Sequence, residues 1–288
     1  MRATCIGFGV MGREVCRHLI ENDYQVSVFD IDEKVRANIS LEVSVKNSLS
    51  ERVDQSDIFL VLVPDDEQTE KVVRELLSFS LQPDKIIAVL STCHPRLMIE
   101  LHSLANECRV GFIDAPLCFG RQGAIDGNLV SLCGGDETLI KKITPLMNAF
   151  CREVIHVGPI GCGQIAKTCN NMLHWAACVA NFEVLFMAKS CGIDAQFMRE
   201  ILLKCPAKNT TLERWDTTNF TWHEKDLDVA LDLAQNAGLT LPLFGQIDQL
   251  VKTLGPDKVR QLLHGNGATY LGQELSKTGL ERPRDHFK

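Results

Sequence analysis

Two groups of residues in this 288-residue chain have the type and spacing to do chemistry. The first is Gly7-Phe8-Gly9-Val10-Met11-Gly12, a GxGxxG turn that follows the apolar run Thr4-Cys5-Ile6 and precedes Val15, Cys16, Leu19 and Ile20 at helical spacing. In that setting Gly7 permits a tight turn, Gly9 lets backbone approach a pyrophosphate, Gly12 lets helix pack on strand, and the helix N-terminus faces the phosphates. Val26-Ser27-Val28-Phe29-Asp30 reads as a second strand, ending in an acid about eighteen residues past Gly12, close to where a carboxylate meets the adenosine ribose hydroxyls. The plain alternative is a strand-end Asp that caps the next turn. A carboxylate that does meet the ribose repels a 2′-phosphate, which favours NAD over NADP.

The second group is Lys167, Asn170, Asn171, His174, Trp175 and Cys178, at i, i+3, i+4, i+7, i+8 and i+11 and therefore on one face of a helix. That face is neither simply apolar nor simply charged. Asn170 and Asn171 bonding an adjacent loop, with Lys167 solvated, would account for it without any chemistry. Its place argues for more, because this helix begins where two domains are expected to meet and where the cleft of an α/β enzyme closes.

The elements that must position these residues alternate. Ile58 to Val63 is an apolar run suited to a strand buried on both faces, and it stops at Pro64-Asp65-Asp66. A helix over about 67–78 leads to a second such strand at Ile86 to Leu90, ending at Ser91-Thr92-Cys93-His94-Pro95. Helix over 97–106, strands over 110–114 and 129–133 and a helix over 140–150 follow. Alternation of this kind predicts a Rossmann-type doubly wound sheet, with the turns at Gly7, Val63-Pro64, Ser91-Thr92 and Ala115-Pro116 opening onto one cleft. Near Gly158-Pro159 the pattern changes, so the expected domains are 1–160, binding the dinucleotide, and 161–288, all-α. A single long interdomain helix from Gln164 to Lys189, about 39 Å, joins them. Shorter helices are expected over about 195–204, 223–238 and 244–254, with a loose polar tail from Thr278.

Composition narrows the partners. A net charge of −7 with scattered basic residues gives no support for nucleic acid or an acidic membrane surface, and no apolar run reaches membrane-spanning length. The N-terminus passes directly into the first strand without a signal peptide, so the expectation is a cytoplasmic protein acting on a small molecule. Twelve cysteines without a CxxC pair, Cys5, Cys16, Cys133, Cys169 and Cys178 falling inside predicted elements, are expected to be reduced, with no metal.

Four stretches in register resemble the β-hydroxyacid dehydrogenase family, which includes 3-hydroxyisobutyrate dehydrogenase, tartronate semialdehyde reductase and the more distant 6-phosphogluconate dehydrogenase. IGFGVMG resembles the family's GxGxMG, and DAPLCFGRQGAIDGNL from Asp114 resembles its substrate loop, DAPVSGGxxGAxxGTL. GCGQIAKTCNN from Gly161 resembles its catalytic GxGxxxKxxNN, and Lys225-Asp226-Leu227 resembles the KDL of its last domain. The resemblance implies NAD as cofactor, Lys167 as catalytic lysine, and Asn170 and Asn171 positioning substrate oxygens. It implies Gly120 and its neighbours as an anion-binding loop, Thr92 near the nicotinamide, Lys225 reaching the closed site, and a homodimer or homotetramer built through a C-terminal domain like that of 6-phosphogluconate dehydrogenase. Val63 and Pro64 join Gly7 to Gly12, Asp30, Thr92 and Lys225 as expected cofactor contacts.

Where the family loop has Ser-Gly-Gly, this chain has Cys118-Phe119-Gly120, losing a hydroxyl and adding a ring. Hydride transfer needs no thiolate, and nothing near Cys118 marks it as a nucleophile. If His174, Trp175 and Phe119 all point into the substrate site, they leave room for a hydroxy acid or semialdehyde of three or four carbons or for a flat one that stacks on the rings. The plain alternative is that Trp175 packs in the domain interface. The expected function is an NAD-dependent interconversion of a small β-hydroxy acid and its semialdehyde or keto form, Lys167 moving the hydroxyl proton and desolvated enough by the cleft to do so. The alternatives are an imine reductase, in which the lysine position is usually replaced, and a silent NAD-binding scaffold.

Overall fold

The computed structural model describes residues 1–40, 43–51 and 53–275, so the expected tail from Thr278 lies outside the described residues. The chain divides into two compact units, Met1–Lys167 and Thr168–Lys288.

In the first unit strand and helix alternate: β1 (Arg2–Ile6), α1 (Val10–Glu21), β2 (Gln25–Phe29), α2 (Glu33–Ala37), β3 (Ser44–Val45), β4 (Ile58–Val61), α3 (Asp66–Ser78), β5 (Ile86–Val89), α4 (Pro95–Glu107) and β6 (Gly111–Asp114). These strands lie parallel in the order β3-β2-β1-β4-β5-β6. β4 and β5 are buried at every position, which is why their sequences show no polar alternation. The order reverses between β1 and β4, and ligands of such sheets bind in the crevice outside the carboxyl ends at that reversal.

Past β6 the sense changes. β7 (Leu117–Cys118), α5 (Gly120–Ile125), β8 (Leu129–Gly134), α6 (Glu137–Met147) and β9 (Cys151–Gly158) follow, β8 pairing antiparallel with β6 and β7 and parallel with β9. β9 is not legible in the sequence because only Cys151 along it is buried. α6 starts earlier than the apolar spacing suggests. The Asp136 carboxylate accepts the N–H groups of Thr138 and Leu139 and so caps the first turn.

α7 (Cys162–Ser190) begins in the first unit and ends in the second, so the boundary along the chain falls within this helix. The second unit continues with α8 (Ala195–Leu202), α9 (Thr210–Glu213), α10 (His223–Asn236), α11 (Pro242–Val251) and α12 (Pro256–His264). Its core gathers Trp175, Phe182, Trp215, Leu227 and Leu262. The expected helical second domain carries, in addition, a short hairpin of β10 (Ala268–Tyr270) and β11 (Gln273–Leu275). Its turn, Leu271-Gly272, has both residues at positive φ, 49° and 80°. Asn-Gly or Asp-Gly would have announced that geometry, and Leu-Gly does not. Tyr270 holds the hairpin on α7 by packing its ring, tilted, against Phe182 and donating its hydroxyl to Glu183 at 2.7 Å. No helix among the described residues is long and apolar enough to cross a membrane. None of the twelve cysteines is in a disulfide, and Cys169, expected inside the helix as a small apolar residue, is exposed on α7.

Candidate functional site

At the end of β1 the backbone itself explains two of the three glycines. Gly7 has φ +95°, and a Cβ there would run into the Leu62 carbonyl; a Cβ on Gly12 would strike the Gly7 carbonyl. A Cβ on Gly9 would meet nothing within 4 Å. Gly9 is the N-cap of α1, no side chain caps that helix, and its first turn carries no acid, so its N–H groups and the positive end of its dipole face open space. This cradle suits a dinucleotide pyrophosphate.

Asp30, just past β2, is fixed by backbone. One carboxylate oxygen accepts the Phe8 N–H at 2.7 Å and the other the Asp32 N–H at 2.9 Å. Arg36 donates to the Asp30 carbonyl at 2.6 Å and lies over the Phe29 ring. The carboxylate is thereby held beside the glycine turn, with lone pairs left on both oxygens. At the next two strand ends, Val63 donates its N–H to Ser91 Oγ at 2.9 Å and His94 donates its N–H to Asp66 at 3.0 Å, tying the turn of Val63 and Pro64 to that of Thr92. A cavity of about 510 Å³ adjoins the glycine turn, lined among others by Phe8, Gly9, Val10, Arg13, Lys34 and Arg121.

The second turn, Cys118-Phe119-Gly120, does not have the expected arrangement. Cys118 is buried in the core, and Phe119 adopts φ +81° with its ring packed against that core and the Arg152 guanidinium 4.3 Å from the ring centroid. A Cβ on Gly123 would come within 2.5 Å of Phe119 Cβ, so the glycine makes room for the base of that side chain. Gly120, at φ +55°, opens α5. The far end of α5 is held by α1: Arg17 donates to the Ile125 carbonyl at 2.7 Å, and His18 Nε2 lies 2.9 Å from the Ala124 carbonyl.

Two residues that the spacing argument missed fix the start of α7. Asp114, fully buried at the end of β6, accepts the N–H groups of Gly161 at 2.8 Å and Gln164 at 2.9 Å. Burial raises its pKa, and those backbone donors oppose the rise. Gln164, also fully buried, accepts the Cys93 N–H through Oε1 and donates Nε2 to the Ser91 carbonyl, both at 2.9 Å. Lys167, half-buried, follows one turn later. The only advance sign of this clamp was a polar residue between two predicted buried strand ends and the lysine.

Further along α7, in the second unit, Asn171 is 8% exposed and accepts the Asn170 amide N–H at 3.1 Å. His174 Nδ1 lies 2.9 Å from Thr211 Oγ1. Trp175 is 3% exposed, packs against His174, Phe220 and His223, and donates Nε1 to Asp226 at 3.0 Å. Its ring belongs to the core of the second unit. Cys178 is fully buried, which pushes its thiol pKa up and makes it inert. Lys225 lies in the first turn of α10, beside the Asp226 that receives Trp175.

Comparison with known proteins accords with this geometry. Residues 2–158 match the family described as the NAD binding domain of 6-phosphogluconate dehydrogenase, and residues 161–264 match that described as NAD-binding of NADP-dependent 3-hydroxyisobutyrate dehydrogenase. An NAD-dependent L-serine dehydrogenase of Pseudomonas aeruginosa is 29% identical over 212 residues, 72% of this chain and 71% of that one. The 2-hydroxy-3-oxopropionate reductase of Escherichia coli is 28% identical over 277 residues, 92% of this chain and 94% of that one. The structure of a Mycobacterium tuberculosis 3-hydroxyisobutyrate dehydrogenase with L-serine superposes with a TM-score of 0.80 at 23% identity, covering 92% of this chain and 100% of that one. With the glycine cradle, the order of the sheet and the long helix in place, the chain belongs to the β-hydroxyacid dehydrogenase family of nicotinamide-dependent oxidoreductases.

Proposed function

We propose that the protein interconverts a small β-hydroxy acid and its semialdehyde or keto form, with NAD as cofactor and Lys167 as general acid/base. The observation that carries this is the anchoring of the first turn of α7. Asp114 and Gln164 pin it to the ends of β6 and β5, which fixes the stem of Lys167 one turn on. When bound, the nicotinamide supplies the hydride exchange. Lys167 Nζ takes the hydroxyl proton in oxidation and returns it in reduction. Asn171, one further turn along the same helix, holds substrate oxygen with its free amide N–H groups, while Asn170 supports it through their shared hydrogen bond. His174, oriented by Thr211, contacts substrate at the edge of the site.

NAD is favoured over NADP because the Asp30 carboxylate is already fixed beside the glycine turn, where it accepts ribose hydroxyls and repels a 2′-phosphate. Val63, Pro64, Thr92 and Lys225 complete the cofactor contacts. The protein acts as a homo-oligomer, for which Leu173, Val184 and Met187 on α7, exposed at 69, 42 and 61%, offer an apolar face. Twelve cysteines without a disulfide suit the reducing cytoplasm.

The test is NADH absorbance across a panel of β-hydroxy acids and amines, repeated with NADP. Lys167→Ala should lower kcat at least about 10²-fold while NADH affinity, read by fluorescence, stays within a few fold. Turnover of amines alone, a preference for NADP, or an active Lys167→Ala enzyme would each remove the corresponding part of the reading.

A further inference from the structure

The cavity beside the glycine turn is lined from two directions. Gly9, Val10 and Arg13 come from the start of α1, whereas Arg121 comes from α5, one residue after the Cys118-Phe119-Gly120 turn. Arg13 stands over the Phe8 ring, 5.8 Å from its centroid, and Lys34 closes a third side. The one acid at the wall, Glu14, is paired with Arg17 at 2.9 Å, so the cavity presents a surplus of positive charge where the α1 dipole also favours an anion.

α5 cannot move away from this cavity independently of α1. Arg17 and His18 grip the carbonyls of Ala124 and Ile125, and Gly127 is packed so closely on His18 that a Cβ would come within 2.8 Å of its ring. The second turn of the site therefore sits on a short helix with one end held by α1 and the other bearing an arginine at the dinucleotide cavity.

We propose that Arg121 binds the pyrophosphate of the dinucleotide together with the N-terminus of α1, and that occupancy of the cofactor site thereby fixes the 118–120 turn before substrate arrives. The proposal rests on the dinucleotide reading of the glycine turn. An arginine suits the role because its planar fork takes two phosphate oxygens at once. The pyrophosphate thus bridges α1 and the N-terminal end of α5, and the amides of the turn ahead of α5 gain protection.

ADP and adenosine are the probes, titrated calorimetrically against the full chain. Arg121→Ala should weaken ADP about five- to tenfold and leave adenosine within about twofold, since adenosine lacks the pyrophosphate. Amide exchange across 117–126 should slow on saturation of the wild type with ADP and stay unchanged on saturation of Arg121→Ala. Arg121 is exposed, so the variant folds, and Arg121→Lys, which keeps the charge without the fork, should fall between the two. Equal ADP affinity in wild type and Arg121→Ala would overturn the proposal. So would equal loss of adenosine, or the same protection in both proteins. A wild type that binds neither ADP nor NADH would instead sink the dinucleotide reading, and the wild-type titration alone separates that failure from failure of the bridge.

Discussion

α1 and α5 each begin at a turn with left-handed backbone, and the two turns reach it by different means. At Gly7, φ +95°, the carbonyl of Leu62 occupies the place of any side chain, so residue type and geometry are the same fact. At Phe119, φ +81°, a full side chain is accommodated because Gly123 leaves room for its Cβ and Arg152 covers its ring. An aromatic residue in that region costs about 1 kcal/mol or more, so this conformation is imposed by neighbours. The first turn is specified by backbone contact and the second by side-chain contact, and only the first announces itself in a sequence.

That contrast can be pressed hardest at Gly12. Its Cβ would collide with the Gly7 carbonyl, so Gly12→Ala should lose about 3 kcal/mol or more of unfolding free energy in a urea titration, and a loss below about 1 kcal/mol would mean the turn relaxes easily. Gly9 lies in the same turn and should behave in the opposite way. With open space around its Cβ, Gly9→Ala should keep its melting temperature within about 2 °C yet weaken NADH about tenfold by crowding the phosphates. Parallel losses of stability and affinity would erase the distinction between a structural and a ligand-facing glycine.

The smallest effect sharpens the second turn. Phe119→Ala removes the ring and keeps the backbone penalty, whereas Phe119→Gly removes both, so the glycine variant should be the more stable of the two by about 1 kcal/mol. Chemical denaturation of the pair decides it, and the ordinary order, alanine above glycine, would show that the turn rearranges once the ring is gone.

Legibility followed the same division. GxGxxG, Asp30 and the buried runs of β4 and β5 could be read because each expresses a local rule, a backbone angle or a strand without a wet face. The burial of Trp175 could not, since it depends on Asp226 accepting an indole N–H from 51 positions away. Nor could β9, with a single buried residue, or the hairpin turn at Leu271-Gly272. The spacing of Lys167 and Asn171 put them on one helix face, but the residues that hold that helix, Asp114 and Gln164, were not read in advance, because their partners are distant in sequence.

Those distances bear on how the chain can be divided. Asp114 takes its N–H donors from 47 and 50 positions later, and Gln164 reaches back 71 and 73 positions to Cys93 and Ser91. A protein cut at residue 160, where the composition changes, would keep the buried carboxylate and discard both of those donors, a loss of several kcal/mol for a charge left uncompensated. Such a fragment should aggregate on expression, whereas one extended through Lys167 would retain its own plug. The autonomous cofactor-binding module is therefore longer than its last strand, and it ends inside a helix.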